Sequence, residues 1–82
     1  MAPAADTVII TGSNGFLGTA LARRLMERYR VIGLDVSLPR QPVEGMTSLE
    51  FDLASEDSVR AAVAEARRIS GGPIASVIHL AA

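Results

Sequence analysis

The sequence predicts an α/β fold, a parallel sheet of about four strands in the spatial order 3-2-1-4 with flanking helices. Three observations carry this reading. Apolar runs rich in β-branched residues alternate with amphipathic stretches at short intervals, the pattern of a single βα winding unit. The first run, Val8-Ile9-Ile10-Thr11, feeds three glycines spaced three apart, Gly12, Gly15 and Gly18, which open an amphipathic segment. A nearly continuous apolar run from Ala75 to Leu80 has the composition of a strand buried on both faces of a parallel sheet.

Each element follows from its residues. Strand one covers about Thr7 to Thr11. The first helix is expected from about Gly15 to Arg28, with Leu17, Ala20, Leu21 and Leu25 on one face and Arg23, Arg24, Glu27 and Arg28 largely solvated. Strand two runs from Arg30 to Asp35. Pro39, Pro42 and Gly45 deny helical continuity to Val36–Ser48, which is read as a loop. A short third strand spans about Ser48 to Phe51.

The second helix is punctuated at both ends. Ser55 is a plausible N-cap, Glu56 and Asp57 put negative charge in the first turn, Arg67 and Arg68 put positive charge in the last, and Gly71-Gly72-Pro73 stops it. Val59, Ala62, Val63, Ala66 and Ile69 follow the spacing of a buried stripe. Strand four, Ala75 to Leu80, would form a sheet edge with unpaired main-chain groups and exposed apolar faces, which implies self-association through that edge.

Composition limits the function classes. A chain of 82 residues forms one small domain, burying roughly 60 to 65% of its unfolded surface. It is 49% hydrophobic and 21% charged with net charge −1, so it is globular and lacks the concentrated positive face that nucleic acid requires. There is no cysteine for a thiolate nucleophile or metal site, and no apolar run of membrane-spanning length. The N-terminal residues lack the charge and apolar core of a secretion signal, and a cytoplasmic protein is expected. All eight cations are arginines, which excludes a phosphate loop built on lysine.

The glycine turn has the chemistry of a dinucleotide half-site. The first amides of a helix lack intrahelical partners and the helix dipole is positive there, so a diphosphate is stabilised without a basic side chain. Gly12 permits the sharp exit from the strand, Gly15 leaves room for diphosphate against bare backbone, and Gly18 allows the helix to pack close to a strand. Asp35, seventeen positions beyond Gly18, ends the second strand. A carboxylate there accepts hydrogen bonds from the adenosine ribose and repels a 2′-phosphate, which favours NAD over NADP. Arg40, in the following loop, could bind a 2′-phosphate if that loop folds back.

Other polar positions have structural readings of their own. Ser13 and Asn14 can bond ligand phosphate or satisfy the loop's own backbone. Asp52 can help cap the second helix. His79, the only histidine, sits in an apolar strand and reads as a neutral, hydrogen-bonded core imidazole.

The segments Thr11-Gly12-Ser13-Asn14-Gly15-Phe16-Leu17-Gly18, Asp35, Asp52-Leu53 and Val77-Ile78-His79-Leu80-Ala81-Ala82 resemble the start of an extended short-chain dehydrogenase/reductase, the group that includes NAD-dependent epimerases and dehydratases of nucleotide sugars. The likeness spans residues 7–82 and implies the N-terminal half of a Rossmann fold, so that residues 1–82 form a partial NAD(P)-binding domain. It implies that Phe16 and Leu17 offer main-chain amides to the diphosphate and that Asp35 holds the adenosine ribose. Asp52 and Leu53 would contact the adenine edge, and Leu80, Ala81 and Ala82 would line the middle of the cofactor. In that family a tyrosine, with a lysine four residues on, moves the proton while nicotinamide carries hydride. The chain has no lysine, and its one tyrosine, Tyr29, reads as a helix-end packing residue. No catalytic residue is therefore assigned, and the catalytic and substrate-binding portion is expected beyond these residues. A non-catalytic NAD(P)-sensing module of the same superfamily and a fragment of an S-adenosylmethionine-dependent methyltransferase are the alternatives.

Overall fold

The computed structural model describes residues 6–71 and 74–80. Its elements are β1 (Thr7–Thr11), α1 (Phe16–Leu25), β2 (Arg30–Asp35), β3 (Thr47–Glu50), α2 (Glu56–Ser70) and β4 (Ile74–His79). The four strands form one parallel sheet in the order β3-β2-β1-β4, as the sequence predicts. Thr11 pairs with Leu34 on one side and His79 on the other, and Asp35 pairs with Glu50. The carboxyl ends of all four strands therefore lie along one edge of the sheet.

Side-chain alternation divides the core between the two faces. Ile9, Ile32 and Leu34 meet Phe51, Ala62 and Ala66 beneath α2. Val8, Ile10 and Val31 meet Ala22 beneath α1. Both helices bury small residues at the contact, which brings their axes close to the sheet.

The helix boundaries show where local pattern yields to geometry. α1 ends at Leu25, three residues before the expected Arg28. The Leu25 carbonyl accepts from both the Arg28 amide (3.0 Å) and the Tyr29 amide (2.8 Å), closing the helix in a tight turn. The chain must turn there because Arg30 enters the sheet opposite Thr7. The buried stripe of α1 is also rotated from expectation: Gly18 and Ala22 are buried, Leu21 and Leu25 are half-buried, and Leu17 and Ala20 are exposed. Glycine and alanine face the sheet because the close approach leaves no room for leucine.

α2 has the expected caps. The Ser55 hydroxyl accepts from the Ser58 amide at 3.2 Å, and Gly71 takes the left-handed conformation with φ 58°. Arg30 donates to the Ile69 and Ser70 carbonyls at 2.8 and 3.0 Å, placing a cation at the negative end of that helix.

β3 and β4 each begin one residue earlier than expected. β4 also departs from the doubly buried strand its composition suggests, since Ala75, Ser76, Val77 and His79 are exposed. It stands at the edge of the sheet, pairing with β1 alone among the described residues.

Candidate functional site

The turn between β1 and α1 is built on main-chain bonds to the tip of β2. Gly12 adopts φ 74°, a conformation a residue with a Cβ rarely takes, and its amide donates to the Leu34 carbonyl at 2.8 Å. The Ser13 amide donates to the same carbonyl at 3.4 Å. The Asn14 amide donates to Asp35 Oδ2 at 2.9 Å, while the Val36 amide donates to Asp35 Oδ1 at 2.7 Å. Asn14 Nδ2 then reaches the Ser37 carbonyl at 2.5 Å. Asp35 thus fixes the turn's position against β2, and Asn14 ties the turn to the chain that follows.

Beyond Asn14, the Gly15 amide donates back to the Gly12 carbonyl at 3.4 Å. Gly15 is the N-cap of α1 and supplies no side-chain cap, and the first turn carries no acidic residue. The first helical amide bond is from Thr19 to the Gly15 carbonyl, at 2.9 Å. The amides of Phe16, Leu17 and Gly18 precede that ladder and sit at the positive end of the helix dipole. Phe16 is 94% exposed and Leu17 64%, so no apolar cover closes this end. Gly18 lets the helix start so near the turn: a Cβ there would stand 2.6 Å from the Gly12 carbonyl oxygen. Gly15 is under no such pressure, because its Cβ would meet that oxygen at an ordinary 3.6 Å.

Asp52 and Leu53 follow β3 along the same sheet edge. Asp52 Oδ1 accepts from the Ala54 amide at 2.9 Å and the Asp52 amide donates to Ser58 Oγ at 2.8 Å, so the residue folds the approach to α2. Leu53 stands at an apolar groove of about 400 Å³ between α2 and the sheet, which Phe51, Val59, Val63, Val77 and His79 also line. Leu80 follows β4 and donates its amide to the Thr11 carbonyl at 3.0 Å. Its side chain joins the cluster on the opposite, α1 face. Ala81 and Ala82 lie outside the described residues. Gly12 to Gly18 and Asp35 come together, then, whereas Leu53 and Leu80 fall on opposite sides of the sheet.

His79 is hydrogen-bonded, with Nδ1 2.6 Å from Thr11 Oγ1, but it is exposed rather than in the core. The edge position of β4 explains the difference. The sequence reading passed over Gly33, where a Cβ would stand 2.5 Å from Ser13 Oγ. A glycine inside a β-branched strand is the signal that marked it. Arg23, read from the sequence as solvated, is exposed, and it lies one turn of α1 beyond Thr19.

A sequence model of the NAD dependent epimerase/dehydratase family matches residues 8–82. The chain belongs to that family. The family's cofactor class is a nicotinamide dinucleotide, and the turn and sheet edge described above are a Rossmann-type portion. Among solved structures it is similar to the aldohexose dehydrogenase of Thermoplasma acidophilum, at 26% identity and TM-score 0.81 over 94% of this chain and 29% of that one. A short chain dehydrogenase family protein from Francisella tularensis matches at 16% identity and TM-score 0.77, over 95% of this chain and 31% of that one. Uronate dehydrogenase from Agrobacterium tumefaciens matches at 22% identity and TM-score 0.66, over 95% and 27% respectively. The latter two likenesses are of fold. No curated protein matches the chain. The chain thus spans less than a third of the length of these three solved proteins. Among the described residues no helix is long and apolar enough to cross a membrane, and no group of side chains could hold a metal ion.

Proposed function

We propose that the chain is the NAD-binding portion of an NAD-dependent epimerase, dehydratase or related reductase, with a diphosphate held at the start of α1. The observation that carries this reading is the uncapped N-terminus of α1 standing next to a carboxylate that the glycine turn itself holds in place. The turn fits the group on physical grounds: three main-chain amides precede the helical ladder, Gly15 and Gly18 flank them without side chains, and no acid in the first turn competes for the positive end of the dipole.

In this proposal the amides of Phe16 and Leu17 bind the diphosphate, and Gly12, Gly15 and Gly18 allow the close approach. Asp35 holds the adenosine ribose. Its oxygens each accept one main-chain amide and each keep a lone pair for a ribose hydroxyl. Asn14 acts through the loop by fixing Asp35 and Ser37, while Asp52 and Leu53 border the adenine and Leu80, Ala81 and Ala82 the middle of the cofactor. When bound, nicotinamide supplies hydride transfer. Tyr29, between α1 and β2, is remote from the turn in sequence and has no lysine four residues on, so in this reading proton transfer belongs to parts of the enzyme outside these residues. The cytoplasm is the expected compartment. The β4 edge, free of lysine and proline, is read as a contact with a second copy of the chain.

Titration of the chain with NAD, followed through amide chemical shifts, tests the reading. The largest changes are expected at Gly15, Phe16, Leu17 and Val36. Asp35→Asn should weaken binding by about tenfold, the loss of one hydrogen bond to a charged group. Shifts confined to other regions would overturn the assignment.

A further inference from the structure

Asn14 is the only asparagine in the chain, and Gly15 follows it. The pair lies in the turn ahead of α1, where Asn14 is half-buried and Gly15 is exposed. The Gly15 amide precedes the helical ladder, and its bond to the Gly12 carbonyl is long at 3.4 Å. Gly15 also carries no Cβ to keep its nitrogen away from the side chain before it. That side chain is held at one atom: Asn14 Nδ2 donates to the Ser37 carbonyl, whereas Asn14 Oδ1 is buried with no partner among the described residues. A buried acceptor left unpaired does not stabilise the amide as it stands.

We propose that Asn14 is a modification site, converted to aspartate and isoaspartate by deamidation through the main-chain nitrogen of Gly15. That nitrogen, having given its proton to hydroxide, attacks Asn14 Cγ. The N–Cγ bond forms, the Cγ–Nδ2 bond breaks, and the departing nitrogen takes a proton from water and leaves as ammonia. Water then opens the cyclic imide at either carbonyl, which yields aspartate from one and isoaspartate from the other. Water is the sole co-reactant, and nothing is oxidised or reduced.

The consequence for the cofactor rests on the dinucleotide reading above. Either product replaces a neutral amide by a carboxylate immediately before the N-cap of α1, where it competes with a diphosphate for the positive end of the helix. A carboxylate cannot donate to the Ser37 carbonyl, so the tie between the turn and the loop after β2 is lost. Isoaspartate also lengthens the main chain between the Asn14 amide, which Asp35 holds, and the free amides of α1. A dinucleotide seated at those amides covers Gly15, so bound NAD slows the reaction.

The test incubates the folded chain in neutral and mildly alkaline buffer, with and without NAD, beside the chain unfolded in urea. Intact mass, ammonia release and isoaspartate-specific methylation report the reaction, and the peptide carrying Asn14 locates it. The folded parent is expected to lose the Asn14 amide, faster at the higher pH. The loss should largely disappear in Gly15→Ala, whose Cβ hinders the attack yet meets the Gly12 oxygen at an ordinary 3.6 Å, so the turn is kept. Asn14→Asp, which carries the product's charge, is expected to weaken NAD binding at least about fivefold. An amide that reacts in urea but survives in the folded chain would overturn the proposal, and so would Gly15→Ala reacting as fast as the parent. Deamidation that NAD does not slow upholds the modification site and removes the diphosphate from the start of α1. NAD affinity unaltered by Asn14→Asp upholds the modification and overturns its effect on the cofactor.

Discussion

The Gly18 Cα faces the Gly12 carbonyl so closely that a Cβ would lie 2.6 Å from its oxygen and 2.9 Å from the Ser13 Cα. These neighbours are main-chain atoms held by bonds to Leu34, so they cannot move aside cheaply. Gly18→Ala gains up to about 1 kcal/mol of helix propensity but incurs overpacking of about 1–3 kcal/mol. Net destabilisation is expected, read as a lower urea midpoint. Gly15→Ala makes the contrast: its φ of −69° suits any residue and its Cβ has ordinary space. Stability should change by less than about 0.5 kcal/mol, while the added methyl weakens NAD binding beside the diphosphate. A Gly18→Ala variant as stable as the parent would refute the close-approach argument.

How much of this was legible beforehand depended on the range of the determining interactions. β1 and β2 follow from their own residues, and α2 from Ser55 and Gly71, because strand composition and caps are local. The end of α1 is not local: Met26, Glu27 and Arg28 are good helix formers, and only the need to bring Arg30 opposite Thr7 stops the helix. Likewise Leu17 scores as core by spacing yet is exposed, since Gly18 and Ala22 are what fit against the sheet. The bond to Asp35 was not legible, because it comes from the main-chain amide of Asn14, which almost any residue at that position would supply. Arg23 and Arg40 line one cavity because the 36–46 loop folds back toward α1, the condition attached to Arg40 in the sequence, which no local pattern decides.

The start of α2 rests on a short relay. Ser55 Oγ accepts from the Ser58 amide, and Ser58 Oγ accepts from the Asp52 amide. Ser55→Ala removes the cap and should destabilise the chain by about 1 kcal/mol, with Asp at the same position restoring most of it. In a domain of this size the loss corresponds to a fall in Tm of roughly 4–8 °C. Calorimetry showing no change would remove the cap from the account of this helix.

Acid should weaken the chain slightly through α2. The hydrogen bond from Arg68 holds the Glu65 carboxyl below its ordinary 4.5, the Arg68 charge assists, and desolvation opposes. Because the folded-state pKa is the lower one, this contribution is present above the unfolded value and is lost as pH falls through the folded one. Arg68 is 70% exposed, so the effect is small. The urea midpoint of the parent should fall more than that of Glu65→Gln between pH 5 and about 3. Parallel pH profiles would show that the pair contributes nothing to stability.

The β4 edge yields the last prediction. Ile74–His79 contributes one side of its main chain to β1 and leaves the other side unpaired among the described residues. No lysine or proline interrupts it, and Val77 is 58% exposed beside the apolar groove against α2. Edges of this kind template pairing with another strand. Light scattering coupled to size exclusion is expected to find dimers or larger species at micromolar concentrations. Val77→Lys, which places a charge where a second strand would dock, should return the chain to monomer without loss of helical circular dichroism. Since Val77 is exposed, folding does not depend on it, and the two readouts separate an interface effect from unfolding. A parent chain that is monomeric throughout that concentration range would show that its edge is protected by twist or by its short length.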